Sequence, residues 1–515
     1  MSAQEKSRTF NAARNAGWAM ALHLLTILCQ FAARTIFVKL MGIDYLGISD
    51  LFSNILMFLS FTDLGIGSAI VFSMYKPLAC NDTDTLAALM DFYKKAYRVI
   101  AVVIAVLGLA LIPFLGIIIK DPPHIREDLT VIYLLYLLHA VLTYCYCYKK
   151  SIITADQKDY IVTIYYKIFY FAQILLQILF LVLTHQFILY LLMQVLCSFL
   201  NNVFVSRKAD RMYPFIREKP KKKLGREEIA VIVNNVRSLV IYRISDIVMN
   251  SIDNILISAL INVRSVALCS NYLLIENSAN QLIKQMISGF TASIGNLNAV
   301  SDRKKQMEIF DAMMLITAWL YGFLTIGLIL LTTPLVELWL GDMYAIGSVV
   351  VFSMAIRNYV AGIQFVPYTY RTTMNLLWEK RFMPLAGAAA NLVLSVIFAK
   401  WIGIAGIFLA TMVARLLTTT WADIYIVFRK GFQQSPAPIY FRTALYAAVM
   451  LVNLKVTEAA LALVTVNGIP GFALRVIVCS VVCNLFFLLC YFRTRAFHYV
   501  WVNFRHLAAR LLRRG

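Results

Sequence analysis

The run YRVIAVVIAVLGLALIPFLGIII, Tyr97–Ile119, holds a single charged residue, Arg98, at its edge. A helix of about twenty apolar residues crosses the roughly 30 Å hydrocarbon core of a bilayer. Runs of this kind recur from Trp18 to Tyr491 with short breaks between them. The 515 residues are 61% hydrophobic and 15% charged, with a mean hydropathy of +0.73. Soluble domains carry roughly 25% charged residues. The chain therefore reads as an all-α, polytopic membrane protein. Disorder, a secreted disulfide scaffold and a soluble enzyme are excluded.

Fourteen spans are expected, at about 17–39, 46–73, 97–119, 129–148, 161–183, 187–206, 229–260, 266–294, 310–332, 346–370, 383–400, 404–428, 441–464 and 472–492. The net charge of +21 tests the count, because cytoplasmic loops concentrate Lys and Arg. With the amino terminus inside, the inner segments are basic: Lys6, Arg8 and Arg14; Lys76, Lys94 and Lys95; Lys149, Lys150 and Lys158; Arg303 to Lys305; Arg371, Lys380 and Arg381; Arg429 and Lys430. Arg207 to Glu228 is the longest break and the most basic, and the tail adds Arg493, Arg495, Arg505, Arg510, Arg513 and Arg514. The outer breaks Thr184 to Gln186 and Thr465 to Gly471 carry no Lys or Arg. Both termini are thus expected inside. No pair of the nine cysteines has zinc or thioredoxin spacing, and no cleavable signal peptide is visible. Short loops leave no room for a nucleotide-binding domain or a large external catalytic region, so neither a cofactor nor enzyme activity is expected.

One internal offset, 220 residues, keeps working. Leu40–Gly47 lies over Leu260–Ala267, and Ser68, Ala79 and Asp82 lie over Ser288, Ala299 and Asp302. Spans one to six then map onto seven to twelve in the same orientation, which gives two six-helix lobes in parallel repeat with two appended helices. The expected divisions are 1–206, a basic cytoplasmic linker 207–228, a second lobe 229–430, and 431–515 for the appended pair and basic tail.

The repeat also aligns two polar stripes. His23, Thr26, Gln30 and Arg34 share one face of span one; Arg243, Asp246, Asn250 and Asn254 are their equivalents in span seven, with Asp253 beside them. Lipid cannot satisfy such groups, so they face protein or water. Hydrogen bonding inside each half is one account, and a water-filled cavity between the halves is the better one. Lys167, Glu276, Lys284, Arg357 and Arg415 are further ionisable residues at depth. A charge at mid-span costs about 2.5–3.5 kcal/mol even on the gentlest scale. The set is biased toward cations, and arginine forks match phosphate oxygens, so an anionic cargo group is expected. The cavity candidates are His23, Gln30, Arg34, Arg243, Asn250, Lys284, Arg357 and Arg415. Asp246, Asp253 and Glu276 either neutralise these arginines or bind a coupling Na+ or H+. The D-x-D run Asp82–Asp84 sits in a short loop with no nucleotide-sugar domain, and a metal role for it is set aside.

Phe37–Gly47 (FVKLMGIDYLG) and Phe61–Ala69 (FTDLGIGSA) resemble the opening of Wzx-type bacterial polysaccharide-repeat-unit flippases, of the multidrug/oligosaccharidyl-lipid/polysaccharide exporter superfamily. The resemblance is specific over residues 10–80 and architectural beyond. It implies transfer of an undecaprenyl-diphosphate-linked oligosaccharide, for O-antigen or capsule, from the cytoplasmic to the outer face of the bacterial inner membrane. It also implies alternating access through a cationic cavity, with polysaccharide polymerase and chain-length machinery as partners. A lipid II flippase and a cation-coupled multidrug exporter of the same superfamily are the alternatives. An integral-membrane enzyme of envelope biosynthesis is disfavoured by the short loops.

Overall fold

A single residue separates the first two helices, Ala3–Met41 and Ile43–Leu59. Gly42 between them has φ +86°, a left-handed conformation that a Cβ penalises. Its N–H donates to the Val38 carbonyl at 3.0 Å and closes the last turn. At the equivalent place 220 residues on, Asn262 lies between Ser251–Leu260 and Val263–Val300. Its side-chain oxygen accepts from the Ser265 N–H at 2.8 Å, an N-cap for the helix that follows. Two different turn residues thus make the same break in each half.

The computed structural model describes residues 3–59, 66–123, 125–218, 251–300, 303–374 and 382–512, with scattered residues between 220 and 249 and between 376 and 380. Every regular element among the described residues is helical. The chain divides into two units, Met1–Arg243 and Ile244–Gly515. The first holds α1 (Ala3–Met41), α2 (Ile43–Leu59), α3 (Ile66–Ala79), α4 (Thr83–Leu111), α5 (Leu129–Tyr146), α6 (Lys150–Ala155), α7 (Asp159–Thr184) and α8 (Phe187–Met212). The second holds α9 (Ser251–Leu260), α10 (Val263–Val300), α11 (Arg303–Leu340), α12 (Ser348–Ile363), α13 (Phe365–Thr373), α14 (Met383–Ile402), α15 (Ile404–Arg415), α16 (Trp421–Ile426), α17 (Ala437–Ala462), α18 (Gly468–Tyr491) and α19 (Arg495–Leu512).

Eleven helices among the described residues are long and apolar enough to cross a membrane. They coincide with eleven of the fourteen expected spans. The second expected span is represented by α2 and α3, on either side of residues 60–65, which lie outside the described residues. The seventh lies largely outside them as well. The eighth is α10, whose 38 residues suffice in length but include Asn271, Glu276, Asn280 and Lys284. Those side chains lower its hydropathy without shortening it.

The two units repeat their packing. In the first, α4 packs on α5, α5 on α8 and α7 on α8; in the second, α11 packs on α12, α12 on α15 and α14 on α15. These are the same three pairings under the 220-residue offset. A glycine permits one of them in each unit: a Cβ on Gly108 of α4 would strike Leu137 of α5, and one on Gly362 of α12 would strike the Tyr321 ring of α11. Close approach at small residues is how helices gain contact where lipid removes the hydrophobic drive. The appended pair α17 and α18 packs on α11. Asn453 of α17 donates to the Cys483 carbonyl of α18 at 3.0 Å, and Trp319 of α11 donates to Asn484 of α18 at 2.8 Å. Asp82 caps α4 by accepting from the Thr85 N–H and hydroxyl, at 3.0 and 2.6 Å. This is a structural use of the D-x-D run.

Candidate functional site

In the first unit the polar stripe of α1 meets α7 and α2. Lys167 of α7 donates to the Thr26 hydroxyl at 2.8 Å and lies 5.8 Å from the Tyr170 ring centre. Gln30, one turn on, hydrogen-bonds Tyr170. Arg34, a further turn on, forms a two-pronged contact with Asp50 of α2, at 3.2 and 2.8 Å. Asp50 lies inside the second expected span. A carboxylate in an apolar run is itself a signal, and the reading of the sequence passes over it. The Arg34 and Asp50 side chains keep 15% and 22% of their surface exposed, so the pair is reachable. The Nε2 atom of His23 is buried without a hydrogen-bond partner among the described residues.

In the second unit Arg357 of α12 binds two carboxylates at once. Its guanidinium donates to Asp253 of α9 at 3.1 Å and to Glu276 of α10 at 2.8 Å, and sits 4.9 Å from the Phe408 ring centre. The Thr411 hydroxyl donates to the second Asp253 oxygen at 3.0 Å and accepts from Asn391 at 2.6 Å. Five helices therefore meet on one ion cluster: α9, α10, α12, α14 and α15. One guanidinium against two carboxylates leaves a net charge of −1 on these three groups when all are ionised, and the Arg415 charge also acts on Asp253. Both carboxylate side chains are only 6% exposed. Such a cluster is costly to desolvate, and it persists because each charge is hydrogen-bonded. Asn280 and Asn358 pair beside it at 2.8 Å.

A second buried network joins α13 and α16. Asp423 of α16 accepts from Arg371 at 2.6 Å and from Gln364 at 2.8 Å. Arg371 also donates to the carbonyls of Leu376, at 3.3 Å, and of Glu379. The basic character of this break in the sequence suggests a solvated anchor, but α13 carries Arg371 inward and leaves it 1% exposed. Arg415 donates to Gln364 at 3.5 Å. Thr411, Arg415, Thr419 and Asp423 follow each other by four residues, a spacing that drifts about 40° per step on an α-helix. The wide π-helical turn Leu416–Thr420 takes up that drift and keeps the row on one face.

Of the candidates read from the sequence, the structure brings Arg357, Asp253 and Glu276 together and places Gln30 and Arg34 on one stripe with Thr26. Lys284 is exposed on α10. Asn254 is buried, and its side-chain oxygen has no hydrogen-bond partner among the described residues. Arg243, Asp246 and Asn250 lie outside the described residues. Sequence reasoning misses Asp50, Thr411, Asn391 and Asp423. The two aspartates are apolar-run carboxylates; Thr411 and Asn391 carry no local signal.

No protein-family model and no curated protein matches the chain. Solved structures do resemble it. One is a lipid II flippase, MurJ, in an inward closed conformation: TM-score 0.66 and 14% identity, over 92% of this chain and 98% of that one. Another is an inward-facing multidrug resistance MATE family transporter of the MOP superfamily: TM-score 0.62 and 13% identity, over 78% of this chain and 95% of that one. A third is a point mutant of the Vibrio cholerae MATE transporter VcmN: TM-score 0.55 and 14% identity, over 81% of this chain and 96% of that one. The chain shares the fold of these membrane transporters.

Proposed function

We propose that this protein is a flippase of the bacterial inner membrane that carries a polyprenyl-diphosphate-linked oligosaccharide from the cytoplasmic to the outer face by alternating access. The observation that carries the proposal is the extent of the likeness: the flippase fold matches 92% of the chain, whereas the two exporter folds match 78% and 81% of it. The cargo reading is supported by Arg34. Its planar fork already grips a carboxylate in two-pronged fashion, the geometry that also suits a diphosphate. Partial exposure allows it to exchange Asp50 for a more highly charged anion. The Asp253–Glu276–Arg357 cluster is the coupling element of this proposal, because two carboxylates share one guanidinium there and either can take up a proton or join in binding Na+.

Both termini are cytoplasmic in this reading, and a polysaccharide polymerase with its chain-length machinery receives the product. Glycan display at the surface of a host lacking its own repeat-unit flippase tests the proposal. The unaltered chain restores display; Arg34→Ala loses it at normal membrane abundance, and Arg34→Lys recovers only part. Normal display from Arg34→Ala removes Arg34 from the cargo site. A lipid II cargo is the second reading, favoured by the likeness to MurJ, a lipid II flippase. Rescue of a host depleted of its lipid II flippase, without glycan display, selects it.

A further inference from the structure

We propose that a cavity between α6, α7 and α8 is a receiving site for a glycosyl phosphate, the sugar–phosphate part of the lipid-linked cargo. The cavity alone carries the chemistry of the ligand; its lipid-linked source rests on the flippase reading. The volume is about 170 Å3, and the polar part of the wall is Lys150 of α6, Thr163 and Tyr166 of α7, and Asn201 and Asn202 of α8. Tyr166 lies about two turns into α7, and the asparagines fall in the second half of α8. On the proposed topology this is the cytoplasmic side, where the cargo is loaded.

Three features define what the cavity takes. The first is a cation. Lys149 and Lys158, its neighbours in sequence, each pair with a carboxylate: Asp210 at 2.7 Å and Asp156 at 2.6 Å. Lys150 is exposed and has no ion pair among the described residues, and no Asp or Glu lines the cavity. An anion is favoured. The second is an acceptor. The Asn201 Oδ1 atom is buried without a hydrogen-bond partner among the described residues. An anion that lacks a donor leaves that oxygen unmet, at a cost. The ligand therefore brings a donor too; an ammonium is repelled by Lys150, and a hydroxyl is not. The third is a ring. Tyr166 keeps 51% of its surface exposed, with the Asn202 amide and the Thr163 hydroxyl on the same wall. A sugar is apolar on its C–H face and polar at its edge, which suits an aromatic face beside hydrogen-bonding groups. Drug-sized ligands fill pockets of about 300–1,000 Å3, so this smaller space suits one sugar with its phosphate.

Helix α7 joins the cavity to the polar stripe of α1. Thr163, Tyr166, Lys167 and Tyr170 follow at i, i+3, i+4 and i+7, on one helix face. Tyr166 stacks on Tyr170 with ring centres 5.8 Å apart. Lys167 then donates to Thr26 at 2.8 Å, and Tyr170 bonds Gln30. A group that leaves the cavity along this face meets the stripe that leads to Arg34.

Binding to the full-length chain in nanodiscs tests the chemistry, in the Arg34→Ala variant so that this cation does not contribute. The probes are glucose, galactose and N-acetylglucosamine 1-phosphates, followed by saturation-transfer NMR. At least one should bind, with sulfate and the free sugar each weaker by about fivefold or more, since each meets only half of the site. Lys150→Met should weaken binding about five- to tenfold, Lys150→Arg should keep it, and Asn201→Leu should weaken it about fivefold. Failure of all three probes, or binding that survives both Lys150→Met and Asn201→Leu, overturns the site and leaves Lys150 a solvated anchor. Glycan display tests the source: with Arg34 intact, both variants should lower display at normal membrane abundance. Normal display from both overturns the place of the cavity on the cargo path. A chain that never restores display overturns the flippase reading and with it the lipid-linked source, while the binding measurement still decides the cavity.

Discussion

Replacing Arg357 with Met removes the guanidinium that holds Asp253 and Glu276 together. The two carboxylates, 6% exposed each, then lose the counter-ion they share. Breaking a buried ion pair from one side costs about 3–5 kcal/mol. Loss of the contact with the Phe408 ring adds about 1 kcal/mol. For a unit as long as Ile244–Gly515, each kcal/mol shifts a thermal midpoint by about 2 °C. The midpoint should therefore fall by about 8–12 °C, read on the purified chain in detergent at one fixed scan rate, since unfolding of such proteins is rarely reversible. The triple variant Arg357→Met/Asp253→Asn/Glu276→Gln keeps the shape and removes every charge. It should return to within about 2 °C of the starting midpoint, because a neutral, hydrogen-bonded replacement avoids the desolvation cost of the ions. An unchanged midpoint for Arg357→Met alone would refute the ion cluster. So would a triple variant no more stable than the single one.

Three further outcomes follow from the geometry. Asp50→Asn should loosen the hold on Arg34; on the proposed reading it tightens cargo binding and slows glycan display, and faster display would contradict that role. Gly362→Ala should lower the thermal midpoint by at least as much as a typical overpacking change of about 1–3 kcal/mol, since the Tyr321 ring has no space to yield; Gly347→Ala, with open space around it, is the control and should change little. At the loop between α6 and α7, the Lys158 ammonium and the Tyr213 hydroxyl, at 2.6 Å each, hold the Asp156 carboxylate below its usual range. A depressed carboxylate stabilises fully above its unfolded pKa of about 3.9 and loses that contribution as pH falls through its folded value. Hydrogen exchange across residues 155–160 should therefore stay slow down to about pH 4 and quicken below it, with Tyr213→Phe raising the onset; quickening already at about pH 6 would contradict the assignment.

The spans and the repeat are legible in the sequence because both rest on long patterns. Apolar runs of about twenty residues survive errors at single positions, and the 220-residue offset keeps three helix pairings in register. The site is legible only in part. Arg357, Asp253 and Glu276 stand out as charges in apolar runs, but their sequence positions, scattered from α9 to α12, give no hint that they converge. Thr411 and Asn391 are ordinary polar residues in the twelfth and eleventh spans until the fold brings them to Asp253. Arg371 shows the opposite failure. Near a helix end in the sequence it reads as a solvated anchor, and only the inward turn of α13 reveals the buried contact with Asp423.

The pairing of these charges bears on how a cationic path works at all. An unpaired arginine in the membrane bears its full desolvation cost whenever the protein is empty. It would also hold a diphosphate so firmly that release becomes the slow step, because binding that is equally strong before and after transfer does not speed transfer. Asp50 addresses both problems on the proposed reading. In the empty protein it satisfies the Arg34 fork at 2.8 Å; with cargo present, a diphosphate of higher charge displaces it; at the outer face, Asp50 competes again and lowers the barrier to departure. On the proposed reading the two units have different tasks. The first unit pairs one cation with one carboxylate that still keeps 22% of its surface exposed, which suits exchange with an external anion. On the same reading the second, where two carboxylates at 6% exposure each share the Arg357 guanidinium, is the one that takes up a proton or a small cation.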